Sequence, residues 1–424
     1  MQFQESHKVE LKKTITDTLY KVIAAFATHE GGTIYLGVDD EGTVVGVTEP
    51  RKVKEDLENK INTKINPRVR FHFNELHIKD RVVLEINVLP GEEAPYFFKG
   101  HTYLRNDTST VPVEGIDLQR LILKKKHLSY DRLEVDHSNL TFKSLKEHFQ
   151  AVMPYETIED GILTTLGLLN EQRYNHAAAL LSDQGPLSQS YLDVAKFRLD
   201  TDAFMERHRW SQQSILDYYT QGLAVFDKYY PPMDVVEGSR RIKKIQVPLE
   251  AFRESLVNAL IHRDYLFPNG VQIAMFDNRI EVVSPGGLSE EINEALFFKG
   301  LVSLARNPIL AMVFFRLGYM ESFGTGIKRI LNAYQPYGVH PNFDLSDHHI
   351  RIILPVLSYD YRKLNLTDGI LAYLKAFPHA SRAQMEQAFD KDKSTIIRHL
   401  NDLLKKGLIV LEGQGPNVTY QSVR

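Results

Sequence analysis

The sequence predicts an α+β chain of several domains, and three observations carry that prediction. Its 424 residues supply material for two to four domains of ordinary size. Strand-like and helix-like stretches alternate in blocks whose character changes near residues 128, 246 and 362. Hydrophobic residues make up 43% and charged residues 25%, the balance of a soluble globular protein. The formal charge of −3 excludes a global basic footprint, so any nucleic-acid surface must be a local patch. The absence of cysteine excludes disulfides, thiolate zinc sites and cysteine nucleophiles. The N-terminal stretch has no apolar signal core, and runs such as "PILAMVFF" are too short to span a bilayer. The expectation is a cytoplasmic protein with no membrane association.

The first block, 1–127, opens with a helix near 14–29. "GGTIYLGVDD" and "GTVVGV" follow as two strands around an "EG" turn. Further strands come at "VRFHFNELHI" and "RVVLEINVLP", and "DLQRLILKKK" closes the block as a helix. The second, 128–245, reads as mixed α/β, with helical periodicity in "QQSILDYYTQGLAVFDKYY"; it offers no site. The third, 246–358, has a helix over "ESLVNALIHRDY", strands at "VQIAMF" and "RIEVVS", a "PGG" turn, two more helices and a strand "IRIILPV".

The last block, 362–424, has the order helix, helix, helix, hairpin. Ser381 caps the second helix, Ser394 or Asp392 the third, and Gly407 ends the third. This pattern resembles the winged helix-turn-helix of bacterial regulators. The third helix would turn Lys393, Thr395, Arg398 and His399 towards a DNA groove. Eight Lys and Arg stand against six Asp and Glu over 366–424, so contacts to phosphate would be few. The alternative is a winged helix used for protein contacts.

In "ESLVNALIHRDY", Glu254, Asn258 and His262 fall four apart, in one arc of about 80°. Leu256, Val257, Ala259, Leu260 and Ile261 fill the remaining circumference. A narrow polar stripe therefore runs down an apolar helix. With "NRIEVVSPGGL", "LARNPILA" and "ESFGTGIKRI", this stretch resembles the GHKL ATP-binding fold of gyrase and histidine kinases, and more narrowly the C-terminal domain of RecG-like regulators. The resemblance implies ATP with magnesium. It makes Asn258 the metal ligand and Glu254 the carboxylate that positions water. Gly286 and Gly287 would form one phosphate-facing turn, Gly324 and Gly326 another, and His262 would meet the nucleotide or cap the site. Ser284 stands where that fold has an Asp reading adenine. The alternative is a degenerate fold whose polar stripe satisfies itself.

"ESHKVELKK" and "AAFATHEGGTIYLGVDDEGTVVGV" resemble the AlbA-like domain of the Schlafen (divergent AAA) family. By position, Glu5, Glu10 and Asp40 match the acids that cleave RNA in some Schlafen members, and Lys12 matches a motif lysine. The resemblance implies magnesium or manganese held by the three carboxylates. The alternative is a surface ion pair between Glu10 and Lys12 and simple turn chemistry at Asp40.

No phosphate loop of the form G-x-x-x-x-G-K-[ST] occurs, so a motor helicase has no motif behind it. The composite points to a nucleic-acid-binding, ATP-responsive transcriptional regulator with DNA or RNA as partner and homo-oligomerisation open. A metal-dependent nuclease and a scaffold with degenerate sites are the competing readings.

Overall fold

A computed structural model describes residues 3–136, 139–152, 160–185, 190–198, 204–237, 239–289, 292–299, 305–321, 324–415 and 418–423. Leu304 of "LARNPILA", Ser322 and Phe323 of "ESFGTGIKRI", and Pro416 and Asn417 of the tail hairpin lie outside them. The chain divides into two compact units, 1–129 and 130–424. Among the described residues no helix is long and apolar enough to cross a membrane.

The first unit runs β1 (Val9–Lys12), α1 (Asp17–Thr28), β2 (Gly32–Leu36), α2 (Pro50–Lys64), β3 (Ile65–Asn66), β4 (Phe71–Ile78), β5 (Arg81–Val88), β6 (Phe97–Phe98), β7 (His101–Asn106), β8 (Ser109–Val113) and α3 (Gly115–Lys125). Two four-stranded sheets form, in orders β1-β2-β5-β4 and β3-β6-β7-β8. α1 touches strands of both sheets. That position explains its sequence: Leu19 to Ala27 are apolar nearly all round, apart from Lys21, and the helix is buried on more than one face. The expected second strand over "GTVVGV" is reduced to a single bridge, Val38 to Val44. Instead β2 pairs in parallel with β1 and antiparallel with β5.

The second unit continues with α4 (Lys143–Val152), α5 (Asp160–Thr165), β9 (Leu169–Asn170), β10 (Arg173–Tyr174), α6 (His176–Leu181), β11 (Tyr191–Phe197), β12 (Phe204–Ser211), α7 (Ile215–Tyr229), β13 (Met233–Glu237), β14 (Arg240–Lys244) and α8 (Leu249–Ile261). Next come β15 (Val271–Met275), β16 (Arg279–Pro285), α9 (Glu294–Lys299), α10 (Pro308–Arg316), α11 (Gly326–Tyr334), β17 (Asn342–Leu345) and β18 (His349–Pro355). A six-stranded sheet in order β12-β11-β15-β16-β18-β17 organises it. β11 pairs in parallel with β15, so the expected boundary at 245 falls inside one sheet and one core. α8 packs against α7, α11, β16 and β18.

Residues 366–422 form α12 (Leu366–Ala376), β19 (Ala380–Ser381), α13 (Arg382–Phe389), α14 (Lys393–Lys405), β20 (Ile409–Glu412) and β21 (Thr419–Ser422), with a three-stranded sheet β19-β21-β20 around its own small core. Ser381 and Gln384 make a reciprocal capping box at the start of α13. Asp392 caps α14 by accepting from Thr395 N at 2.9 Å. The tail does not stand apart from the sheet. Buried Asn278, in the β15–β16 turn, donates to Ala372 O of α12 at 2.7 Å.

Candidate nucleotide site

α8 is held at its C-terminal end by buried Asn307, whose amide donates to Ile261 O at 2.7 Å and Arg263 O at 2.9 Å. Those carbonyls have no partner further along the helix, so the Asn of "ARNPILA" satisfies them. With the helix fixed, its polar stripe faces a cavity lined by Glu254, Asn258, His262, Ser284, Gly287, Arg306, Gly324, Thr325 and Gly326. About 1100 Å³ of non-protein space lies there, part of it open to solvent.

Within the cavity Glu254 is buried and doubly engaged. Its Oε1 accepts from Asn258 Nδ2 at 3.2 Å, and its Oε2 pairs with Arg329 Nη2 at 2.7 Å. Burial raises the Glu254 pKa above the usual carboxylate value, against the lowering pull of Arg329. Arg329 also reaches Glu321 at 3.3 Å. Sequence reasoning missed Arg329, although it lies in the same "GTGIKRI" motif as Gly326. Asn258 spends its N–H on Glu254, which leaves its carbonyl oxygen as the side-chain atom able to ligate a cation.

The two glycine turns differ. Gly324 takes a left-handed φ of 67°. At Gly326 a Cβ would overlap Glu254 Oε1 and come within 2.9 Å of Asn258 Nδ2, so a larger residue there must displace that pair or the start of α11. Thr325, between them, has a buried hydroxyl with no protein partner among the described residues. Such an atom beside a polar cavity fits a ligand oxygen. The first N–H groups of α11 point outward from the helix start, as in anion sites.

The 286–287 turn does not fit the expected role. Gly286 N donates to His348 O at 2.7 Å and Gly287 N to Asp347 O at 3.3 Å. Both donors are spent on the β17–β18 turn and neither is open to phosphate. Gly286 does not line the cavity; a Cβ there would meet Asp264. Ser284 lines it, but its hydroxyl donates to Ala259 O at 2.9 Å. His262 follows the last residue of α8. Burial first, and the Arg306 charge second, push its pKa down to about 4, so the ring is neutral at pH 7.

The N-terminal acids are not gathered. Glu10 is buried and its carboxylate is taken by Arg105, at 2.6 Å, and by Lys12. Arg105 in turn donates to Ser6 O at 3.0 Å and Thr110 Oγ1 at 3.1 Å. Glu5 accepts from Leu11 N at 3.2 Å, and Asp40 is exposed. Among the described residues no group of three or more acids or histidines is arranged to hold a metal ion. The expected magnesium or manganese site at Glu5, Glu10 and Asp40 is therefore not supported: Arg105 and Lys12 already balance the Glu10 carboxylate.

On α14, Lys393 and Arg398 are exposed. Thr395 and His399 are half-buried and engaged within the domain. The Thr395 hydroxyl bonds Asp392 at 2.8 Å, and His399 Nδ1 meets Thr367 Oγ1 of α12 at 2.9 Å.

Residues 5–114 match the family described as Schlafen, AlbA_2. Residues 269–354 match the family described as "Putative ATP-dependent DNA helicase recG C-terminal", which takes in the glycine turns and Arg329 but begins after α8. Among solved structures, the DIP2311 protein from Corynebacterium diphtheriae is similar over 98% of this chain and 92% of that chain, at 18% identity and a TM-score of 0.49. The N-terminal domain of a RecG-related protein from Nitrosomonas europaea is similar over 22% of this chain and 69% of that chain, at 23% identity and a TM-score of 0.19. The chain thus joins an N-terminal Schlafen AlbA_2 domain to a domain of the RecG C-terminal type.

Proposed function

We propose that this chain is a nucleic-acid-binding regulator of transcription whose hold on DNA responds to ATP. The observation that carries the reading is the cavity between α8 and the start of α11. There Asn258, the Thr325 hydroxyl and a glycine-bounded helix start converge. Magnesium, when bound, would neutralise phosphate charge; Asn258 would hold it through its carbonyl oxygen. Thr325 and the first N–H groups of α11 would meet phosphate oxygens. Glu254 would orient water only after leaving Arg329, which favours binding over turnover.

The tail is read as a winged helix-turn-helix with Lys393 and Arg398 towards DNA phosphates. The cavity and the tail belong to one unit. β16 carries Ser284 at the cavity, and the turn before it carries Asn278, bonded to α12. The test is fluorescence anisotropy of a labelled duplex with and without ATP and magnesium. A several-fold change in affinity that Asn258→Ala removes supports the reading. Unchanged DNA affinity at saturating ATP refutes it.

A further inference from the structure

The cavity between α8 and α11 carries its charges unevenly. Among the described residues that line it, the one lysine or arginine is Arg306. Arg306 serves the end beyond the last turn of α8: its Nη2 donates to Gly287 O at 2.8 Å, and its Nη1 lies 3.9 Å from Asp264. At the Gly326 end the charged lining residues are two acids, Glu254 and Glu321. The wall around Ser284 is apolar, with Val282, Ile350 and Ile352, and suits a nucleotide base. A nucleotide with its base there and its phosphates by Asn258 carries its last phosphate towards Glu254, one turn further back along α8. That phosphate would meet two carboxylates and no lining cation.

The cation that touches both acids is Arg329. Its Nη2 is 2.7 Å from Glu254 Oε2, and its Nη1 is 3.3 Å from Glu321 Oε1. Glu321 is 67% exposed, so it holds the arginine weakly. The acids do not exhaust the donors. A guanidinium carries five N–H groups, and the buried Nε of Arg329 has no partner among the described residues. Arg329 follows Gly326 by three positions, so the two share one face of α11, and both meet Glu254. Helical side chains lean towards the N-terminus. The fork therefore reaches back towards the start of α11, about 4.5 Å away along the axis. Its planar set of donors matches phosphate oxygens in pairs.

We propose that Arg329 is the residue by which this cavity distinguishes a nucleoside triphosphate from a diphosphate, its guanidinium leaving Glu254 for the terminal phosphate. The assignment rests on the reading of the cavity as a nucleotide site. A diphosphate ends short of Arg329 and leaves its pair with Glu254 closed. A triphosphate draws Arg329 away and frees the Glu254 carboxylate in the same step.

The experiment is titration calorimetry on the full chain with magnesium, using ADP and the non-hydrolysable imido analogue of ATP. Arg329→Met alone strands the buried Glu254 carboxylate, so Arg329 is tested in a Glu254→Gln background, where no such charge remains. Glu254→Gln by itself releases Arg329 and should raise affinity for the triphosphate analogue several-fold more than affinity for ADP. Adding Arg329→Met to it should then lower affinity for the analogue at least tenfold and affinity for ADP less than twofold. A purely structural role for Arg329 would move both nucleotides alike. Equal losses for the two nucleotides on adding Arg329→Met, or no loss for either, would overturn the assignment and leave the nucleotide site standing. Glu254→Gln that raises ADP affinity as much as analogue affinity would overturn it too. Wild-type protein that binds neither nucleotide at millimolar concentration would overturn the site and the assignment together.

Discussion

Arg329 Nη2 lies 2.7 Å from Glu254 Oε2, joining the first turn of α11 to the middle of α8 across 75 positions of sequence. Glu254 is almost fully buried, while Arg329 keeps partial contact with water. Removing one member of a buried pair strands the other, at a cost of about 3–5 kcal/mol. Because Arg329 stays partly hydrated, Arg329→Ala should cost about 3 kcal/mol in urea denaturation, the lower end of that range. Adding Glu254→Gln should recover part of the loss. Single effects that sum to the double effect within about 0.5 kcal/mol would show that the pair is not coupled.

Gly326→Ala should destabilise the unit by about 1–3 kcal/mol, since the new methyl must displace the bonded Glu254–Asn258 pair or the start of α11. A thermal melt indistinguishable from wild type would place the helix start elsewhere.

His262 gives a pH signature. Its pKa is pushed down from 6.5 to about 4, so the folded state disfavours its charged form. The sign follows from linkage: the contribution is present above pH 6.5 and is lost as pH falls towards about 4. Denaturation midpoints should therefore drop over that window, and His262→Gln should flatten the drop. Parallel curves for the two proteins would rule out His262 as the source.

In the first unit, Glu10→Gln leaves Arg105 buried without its counter-charge and should cost about 3 kcal/mol or more. Asp40→Asn, at an exposed site, should change stability by less than about 0.5 kcal/mol. The opposite ranking in guanidinium titrations would return Glu10 to a role outside the fold.

Part of this architecture was legible in the sequence. Spacing of four along α8 put Glu254, Asn258 and His262 on one face, because helical period is a local property. The cap at Ser381 was legible for the same reason, and the cap of α14 narrowed to Ser394 or Asp392, of which Asp392 is the one used. What escaped were partners fixed by tertiary folding. Arg105 lies 95 positions from Glu10, and no local pattern announces that a strand eight elements further along will neutralise it. The parallel pairing of β11 with β15 is equally non-local, and it merges two blocks that composition separates. At Gly286 and Gly287 the residue type signalled close backbone approach correctly, but the approaching partner is the protein's own 346–348 turn.

The central claim is that the α8–α11 cavity binds ATP with magnesium, and isothermal titration calorimetry tests it most directly. Titrating ATP into the full chain with magnesium present should give saturable heat. Asn258→Ala should weaken binding more than tenfold, a loss above about 1.4 kcal/mol, while the protein still unfolds cooperatively. Removing magnesium with EDTA should weaken the wild type to a similar degree. Wild-type protein that gives no heat at millimolar ATP, or Asn258→Ala that binds as tightly as wild type, would contradict the claim.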